Sequence, residues 1–207
     1  MKITWCGHSC FLVETREGSA VLDPYAPGSV PGVSLPALTA DLVLCSHGHR
    51  DHGYAAGVRL SGEKPGFSVK TIPSFHDDKG GSLRGENIIH VIEAEGLRIA
   101  HLGDLGHPLS EEQLSALGAL DVLLIPVGGH YTIGPETAAA LAKAIGARIT
   151  VPMHYRGAGF GYDVIGPVED FTARMEKVRI SESSAFDPAQ EAEGVLVLRC
   201  PTGENEK

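Results

Sequence analysis

Six consecutive residues, His47–His52, have the sequence His-Gly-His-Arg-Asp-His and limit the folds and functions that this chain can have. This run concentrates three imidazoles and one carboxylate in a chain that has 10 histidines among 207 residues. Neutral imidazole and carboxylate suit zinc, iron, manganese or nickel, whereas calcium and magnesium prefer shells of oxygen. The run therefore predicts a site for one or two divalent ions, against the simpler alternative of a polar surface loop.

The spacing within the run predicts how its donors are shared. Residues 41–46 form a short apolar segment of strand length just before it. If that strand continues, His47 and His49 point to the same face, because strand side chains repeat every two residues. Asp51 and His52 are adjacent, so a turn favoured by the following glycine is needed to direct both toward one cavity. We expect His47 and His49 on one ion and the other two donors on a second.

Further donors stand where other strand-like segments end. Three apolar segments each lead into a potential ligand, and these ligands are His76, Asp104 and His154. A catalytic zinc ion usually takes about three protein ligands plus water, so donors from several segments have to converge. The pattern predicts a metal pocket at the edge of a sheet.

Composition limits the kind of protein. A chain of 207 residues with 43% hydrophobic residues fits one domain, which we place at 1–200, with a polar tail at 201–207. The net charge of −9 disfavours binding to nucleic acid, whose backbone it repels. No apolar stretch approaches the roughly 20 residues that span a bilayer, and the N-terminus lacks a signal-peptide pattern. We expect a cytoplasmic protein with reduced thiols at its cysteines, Cys6, Cys10, Cys45 and Cys200.

Strands and helices alternate along the rest of the sequence. A capping box predicts a helix that begins after Ser110, and Pro135 as the first residue predicts a helix through Ile145. A third helix is predicted from Pro167 to about Val178. The remaining predictions are a hairpin over 88–102, a loop over 181–193 and a last strand over 194–200.

Four segments outside the central run carry a recognisable pattern, and they are Trp5–Phe11, Leu22–Pro24, Gly103–Asp104 and Pro152–Tyr155. Together with the run, they resemble the metallo-β-lactamase-fold hydrolases over about residues 2 to 156. Within these hydrolases, the segments Trp5–Phe11 and Leu22–Pro24 resemble the small single-domain branch, whose relatives include ascorbate-phosphate lactonases and a phospholipase D that cleaves N-acylethanolamine phospholipids. The resemblance implies an α/β (α+β) fold, a four-layer αββα sandwich.

The resemblance also implies roles for individual residues. The first ion would be held by His47, His49 and His76, and the second by Asp51, His52 and His154. Asp104 would bridge the two ions, and Asp23 would orient a ligand from beneath them. Asp77 and Asp78 compete with His76 for its place in the sequence.

Two departures from related proteins narrow the activity. The true β-lactamases of this fold use a cysteine where Asp104 stands, which argues against hydrolysis of penicillins. The diiron electron-transfer relatives carry a glutamate where His49 stands, which argues against a redox role. The expected activity is a metal-dependent hydrolase, with two ions, that uses activated water on a small ester, lactone or phosphodiester. Zinc is the first expectation, with manganese, iron and nickel as alternatives.

The expected mechanism assigns catalytic roles to three residues. Asp51 would orient the attacking water, and His8 or His130 would protonate the leaving group, because imidazole titrates near neutral pH. A packed or hydrogen-bonded side chain is the alternative for both histidines. The expected partner is a small-molecule substrate, and Arg84, Arg156 or Tyr155 would bind it if it is anionic.

Two other functions remain open from the sequence. One is a nuclease-like phosphodiesterase on RNA or DNA, although larger nucleases of this fold add a second domain for which this chain has no room. The other is a non-catalytic metal-binding or sensor protein that keeps the pocket without turnover. The sequence does not fix the substrate, the number of ions or the oligomeric state.

Overall fold

The fold is described from a computed structural model, which describes residues 1–201. Strands β1 to β14 are, in chain order, Lys2–Trp5, Phe11–Thr15, Gly18–Leu22, Leu38–Ala40, Leu42–Leu44, Val58–Leu60, Ser68–Phe75, Glu86–Ala94, Leu97–His101, Val122–Pro126, Ile149–Met153, Val178–Ile180, Ala185–Phe186 and Gly194–Val197. Helices α1 to α3 are Glu111–Leu117, Pro135–Ile145 and Glu169–Thr172, and short 3-10 helices lie at Ala55–Gly57 and Pro188–Gln190. The predicted tail beyond residue 201 lies outside the described residues.

Two sheets form the body of the molecule. The first has five strands in the order β13-β1-β2-β3-β5, and the second has seven in the order β12-β14-β11-β10-β9-β8-β7. A small sheet pairs β4 with β6. Strands β9, β10, β11, β14 and β12 run parallel, whereas β7, β8 and β9 are antiparallel. The predicted mixed α/β class is confirmed.

A buried core joins the two sheets. Trp5 and Phe11 of the first sheet belong to the same buried apolar cluster as Ile99 and Leu123 of the second. All five residues of β10 are buried, and α2 contacts this strand with the apolar face that includes Ala138. A parallel strand that is covered on both faces reads as a continuous apolar run, which is what β10 shows.

The element predictions agree with the structure in part. The capping box at Ser110 forms, and Gly146 ends α2 in the left-handed region at φ 64°. The hairpin is formed by β8 and β9. The third predicted helix is wrong in length, because only α3 is helical and Lys177 at φ 52° turns the chain into β12.

The prediction of a loop over residues 181–193 is also wrong. This segment contains β13, which pairs antiparallel with β1 so that Ile3 lies opposite Phe186. Two residues are too short for a periodic signal, and the pairing forms only because the edge of the first sheet is close by. The last strand ends at Val197, three residues before the predicted end.

Candidate metal centre

The central histidine run lies in a loop and not on a strand. Strand β5 ends at Leu44, so the expectation that it continues to His47 and His49 is wrong. The chain bends after β5, and the backbone N–H groups of His52 and Gly53 donate to the carbonyl of His49 at 3.0 and 2.7 Å. This bend, rather than strand alternation, directs the run into one cavity.

The loop brings the predicted ligands together in two sets. The ligand atoms of His47, His49 and His76 all lie within 4.8 Å of one another. A second set within the same limit contains Asp51, His52 and His154, joined by His8. The ring centroids of His47 and His52 are 4.5 Å apart, so the two sets adjoin.

Asp104 lies between the two sets. Its Oδ2 is 3.2 Å from Nε2 of His76 and 3.4 Å from Nε2 of His154, and its Oδ1 is 3.2 Å from Nε2 of His52. Only 2% of its side chain is exposed. A carboxylate that touches members of both sets has the placement that a bridging ligand requires.

The turn before Asp104 is held from two sides. The side-chain Oδ1 of Asn87 accepts the backbone N–H of Asp104 at 2.9 Å. Nδ1 of His101 accepts the N–H of Gly103 at 3.1 Å, and Nε2 of the same ring donates to the carbonyl of Ser9 at 2.8 Å. His101 therefore positions the turn and is not one of the clustered donors.

Asp23 sets the orientation of two imidazoles from below. Its Oδ2 accepts Nδ1–H of His52 at 2.8 Å and the hydroxyl of Ser46 at 2.6 Å. Since the Ser46 proton is used, Oγ accepts Nδ1–H of His47 at 2.9 Å. Both imidazoles are thereby oriented with Nδ1–H toward these partners and with Nε2 toward the other donors, as metal-binding histidines require.

The charges of the buried site are strongly coupled. Burial opposes ionisation of Asp23, but the imidazoles of His101 and His52 outweigh it and lower the pKa of this carboxyl to about 2. Burial likewise disfavours charge on His52, yet Asp104 and Asp23 raise its pKa well above 6.5. For His47 burial prevails and lowers the pKa to about 3. His52 in the second set therefore carries a second proton and a positive charge in the metal-free protein, whereas His47 is neutral at pH 7.

Unpartnered buried atoms show that this donor set fits a metal ion. Nε2 of His47 and both ring nitrogens of His154 make no hydrogen bond within the part of the chain that the structure describes. Nε2 of His52 and Oδ1 of Asp104 lie 3.2 Å apart without the alignment of a hydrogen bond, and they have no other partner there. More than about nine in ten buried polar groups in proteins are hydrogen-bonded, so such a concentration of unpartnered donors needs an explanation. Coordination of divalent ions supplies it, since neutral imidazoles and carboxylates are the ligands that such ions take.

The two predicted proton donors lie in different places. His8 is fully buried, its ring centroid is 4.2 Å from that of His154, and its Nε2 is 3.6 Å from Oδ2 of Asp51. Burial lowers the pKa of His8 to about 4, so its ring is neutral at pH 7. His130 is exposed, packs on Tyr131 with centroids 4.5 Å apart and does not line the cavity. The catalytic role of both residues stays a prediction.

Asp77 and Asp78 do not take the place of His76. Both carboxylate oxygens of Asp77 are occupied by backbone N–H groups of its own loop. The Asp78 side chain is 67% exposed and pairs with Lys79. His76, by contrast, is buried within the cluster.

The cluster forms one wall of a cavity of about 390 Å³. Its lining residues are His49, Asp51, His76, Leu83, Arg84, Asp104, Tyr131 and Tyr162. Sequence reasoning missed Tyr162, whose hydroxyl lies 2.6 Å from the carbonyl of Ser29 and 3.1 Å from Oδ2 of Asp51. No local pattern could have found it, because 111 residues separate it from Asp51.

Comparison with known proteins agrees with this geometry. A family model described as a beta-lactamase superfamily domain matches residues 2–154, a range that contains every member of the cluster. A UPF0173 metal-dependent hydrolase of Methanoregula boonei is 32% identical over 188 residues, which cover 75% of this chain and 82% of that protein. The chain belongs to the metal-dependent hydrolases of the metallo-β-lactamase superfamily.

Solved structures share the fold. A Thermotoga maritima protein, assigned as a Zn-dependent hydrolase of the same superfamily, aligns with a TM-score of 0.76 and 34% identity over 95% of this chain and 97% of its own. The short form of human tRNase Z aligns with a TM-score of 0.55 and 14% identity over 76% of this chain and 93% of its own, a likeness of fold alone. Among residues 1–201, no helix is both long and apolar enough to cross a bilayer.

Proposed function

We propose that this protein hydrolyses a small ester, lactone or phosphodiester with a water molecule activated by two divalent ions. The observation that carries the proposal is the pair of adjoining donor sets, with Asp104 between them, at the wall of a cavity. His47, His49 and His76 would hold the first ion, and Asp51, His52 and His154 the second. Zinc is the expected metal, because imidazole predominates in both sets.

A bound divalent ion lowers the pKa of water from 15.7 to about 7 and polarises a substrate oxygen. The protein's own residues prepare the site for this chemistry. Asp23 and Ser46 hold His47 and His52 in the orientation in which Nε2 faces the other donors. A cavity of about 390 Å³ is at the low end of the range for small-molecule sites and gives access to the cluster.

Asp51 and Tyr162 act together at the mouth of the second set. Burial raises the pKa of the Tyr162 phenol far above its usual value, so the phenol keeps its proton and acts as a hydrogen-bond donor. With one proton and two acceptors, it donates either to Ser29 or to Asp51. Asp51, partly exposed and facing the cavity, is the group best placed to orient an attacking water.

Two supporting features concern partners and location. The net charge of −9 favours a small molecule over a nucleic acid as substrate, although the fold is shared with a tRNase. The cysteines are all free, which suits the reducing cytoplasm that we propose as the location.

The proposal is tested by metal content and turnover in the same samples. Protein freed of metal and reloaded with zinc is assayed on p-nitrophenyl acetate and bis(p-nitrophenyl) phosphate. We expect about two ions per chain and turnover that chelation abolishes. His49→Ala and Asp104→Asn should lower metal content and turnover together, and His107→Ala, outside the cluster, serves as the matched control.

Four outcomes would contradict the proposal. Full metal retention in both variants would remove the ligand assignment. Turnover that survives chelation would remove the role of the metal. A full complement of ions with no turnover on either substrate would favour the metal-binding or sensor alternative, and tight RNA binding with a steep salt dependence would favour the nuclease alternative.

A further inference from the structure

The cavity beside the donor cluster has one wall of a different character. His49, Asp51, His76 and Asp104 line one side of it, whereas the segment 77–85 contributes Leu83 and Arg84. Of the lining residues in the part of the chain that the structure describes, only Arg84 carries a permanent positive charge.

A single carboxylate holds the segment 77–85 in shape. Oδ1 of Asp77 accepts the backbone N–H groups of Lys79 and Gly81 at 2.8 and 2.9 Å. Its Oδ2 accepts those of Leu83 and Arg84 at 3.0 and 2.7 Å. These four hydrogen bonds fix the shape of the segment, which presents Leu83 and Arg84 to the cavity in a defined position.

The Arg84 guanidinium keeps most of its hydrogen-bonding capacity. One nitrogen donates to the carbonyl of His130 at 3.2 Å, and the guanidinium carbon lies 5.8 Å from the centre of the Tyr131 ring. No carboxylate among residues 1–201 forms an ion pair with it. A guanidinium has five N–H donors, so about four remain for a ligand. The contacts to His130 and Tyr131 restrict its position without neutralising its charge.

We infer that Arg84 anchors an oxyanion-binding subsite, and that the substrate is a small ester, lactone or phosphodiester bearing a carboxylate or phosphate group. The inference rests on the proposed function, because it places the anion in the cavity that also exposes His49 and Asp51. Guanidinium forms two parallel hydrogen bonds with either kind of oxyanion. Leu83, 65% exposed, and the rings of Tyr131 and Tyr162 would pack on the apolar part of the same molecule.

The test uses three chromogenic esters that differ only at the far end of the acyl chain. They are p-nitrophenyl butyrate, which is neutral, and its 4-carboxy and 4-phosphono analogues. For the metal-loaded protein, kcat/KM on each charged ester is divided by kcat/KM on the neutral ester. We expect Arg84→Gln to lower at least one of the two ratios about tenfold or more, chiefly through KM, with metal content retained.

Two further variants make the result specific. Asp77→Asn keeps Arg84 but leaves one carbonyl oxygen to accept four N–H groups. The kcat/KM ratio that falls in Arg84→Gln should therefore fall in Asp77→Asn as well, but by less. Lys79→Gln makes the same charge change on the same segment, at a side chain that is 65% exposed and outside the cavity lining, and should leave the ratio unchanged. The ester whose ratio falls more identifies the anion as carboxylate or phosphate.

Binding of the acid products separates this inference from the proposed function. Calorimetry with glutarate and with 4-phosphonobutyrate on the metal-loaded protein should show a Kd about tenfold weaker in Arg84→Gln. Weaker binding without ester turnover in the unmutated protein would support the subsite and contradict the proposed function. The opposite outcome is ester turnover in which Arg84→Gln changes neither the kcat/KM ratios nor the Kd values of the acid products by more than about twofold. That result would overturn the subsite and would not contradict the proposed function.

Discussion

Asp23 controls the donor cluster without belonging to it. Asp23→Asn keeps the size of the side chain but removes the charge that receives Nδ1–H of His52 and the hydroxyl of Ser46. Because His47 is oriented through Ser46, both donor sets lose a support. Loss of such outer partners typically lowers metal affinity about 10- to 100-fold.

Competition with a chromogenic chelator measures this change for zinc. Asp78→Asn, at a side chain that is 67% exposed, is the matched control and should bind zinc as the unmutated protein does. Equal affinity of Asp23→Asn and the control would show that Asp23 does not govern the imidazoles.

Tyr162 provides a second prediction at the scale of single residues. Tyr162→Phe removes the hydroxyl 3.1 Å from Oδ2 of Asp51 and leaves the packing of the ring. A hydrogen bond to a charged group contributes about 1.5–3 kcal/mol, so we expect kcat to fall about 10- to 100-fold with metal content unchanged. Tyr54→Phe, at a tyrosine outside this cavity, is the control. Loss of metal in Tyr162→Phe would show instead that the phenol supports ligand geometry.

The residue scale also shows what a sequence can and cannot reveal. Local spacing in the sequence predicts four of the ligands, and these are His47, His49, Asp51 and His52. Donors at the ends of strands are also expected to lie close together. Tyr162 has no such signal, because it reaches the site through a loop that follows β11. Its contact with Asp51 exists only after both sheets have packed.

At the scale of elements, the turn at Gly103 fixes Asp104. Gly103 has φ 58°, and a Cβ there would clash with Oδ1 of Asn87 and with Cβ of Ser46. Gly80 has φ 64°, and a Cβ added there would have no atom within 4 Å. Substitution at Gly80 therefore measures the free energy of the backbone conformation alone. We expect Gly80→Ala to destabilise by about 1 kcal/mol.

Gly103→Ala should cost more, because it adds overpacking of about 1–3 kcal/mol to the same backbone term. Urea denaturation of the two metal-free variants measures both values. Equal destabilisation would mean that the turn relaxes around the new methyl group and does not constrain Asp104.

Element prediction succeeded where the signal was local. Helix α2 carries its own start and stop in Pro135 and Gly146, and α1 has a complete capping box. The end of α3 and the strand β13 were not predicted because two strands form there by pairing with other parts of the chain: β12, which follows α3, pairs with β14, and β13 pairs with β1. The resemblance to a known family supplied the sandwich arrangement, which periodicity does not encode.

At the scale of the whole molecule, metal binding is coupled to protons. His52 has a raised pKa in the metal-free protein, where Asp104 and Asp23 face it. Its Nδ1–H is committed to Asp23, so the second proton of the charged ring is on Nε2, and a metal ion can bind there only when this second proton leaves. Zinc affinity should therefore rise with pH, and binding at pH 7 should release more protons in the unmutated protein than in Asp23→Asn, which lacks one of the two carboxylates that raise the pKa of His52.

Calorimetry of zinc binding in buffers with different ionisation enthalpies counts these protons. Because the pKa of His52 is higher in the folded than in the unfolded protein, protonation of His52 stabilises the metal-free fold. This stabilisation is complete below the pKa in the unfolded protein, about 6.5, and is lost as the pH rises through the higher pKa in the folded protein. The Tm of metal-free protein should thus fall as pH rises above neutrality, while that of zinc-loaded protein should not. Equal proton release in both proteins would contradict the charge state assigned to His52.

Anomalous diffraction at the zinc edge, from crystals of zinc-loaded protein, tests the central claim most directly. The account predicts two peaks, one among His47, His49 and His76 and the other among Asp51, His52 and His154. A carboxylate oxygen of Asp104 should lie within coordination distance of each peak, about 2.0–2.2 Å. A map without density between these side chains, or with zinc bound only elsewhere on the surface, would contradict it.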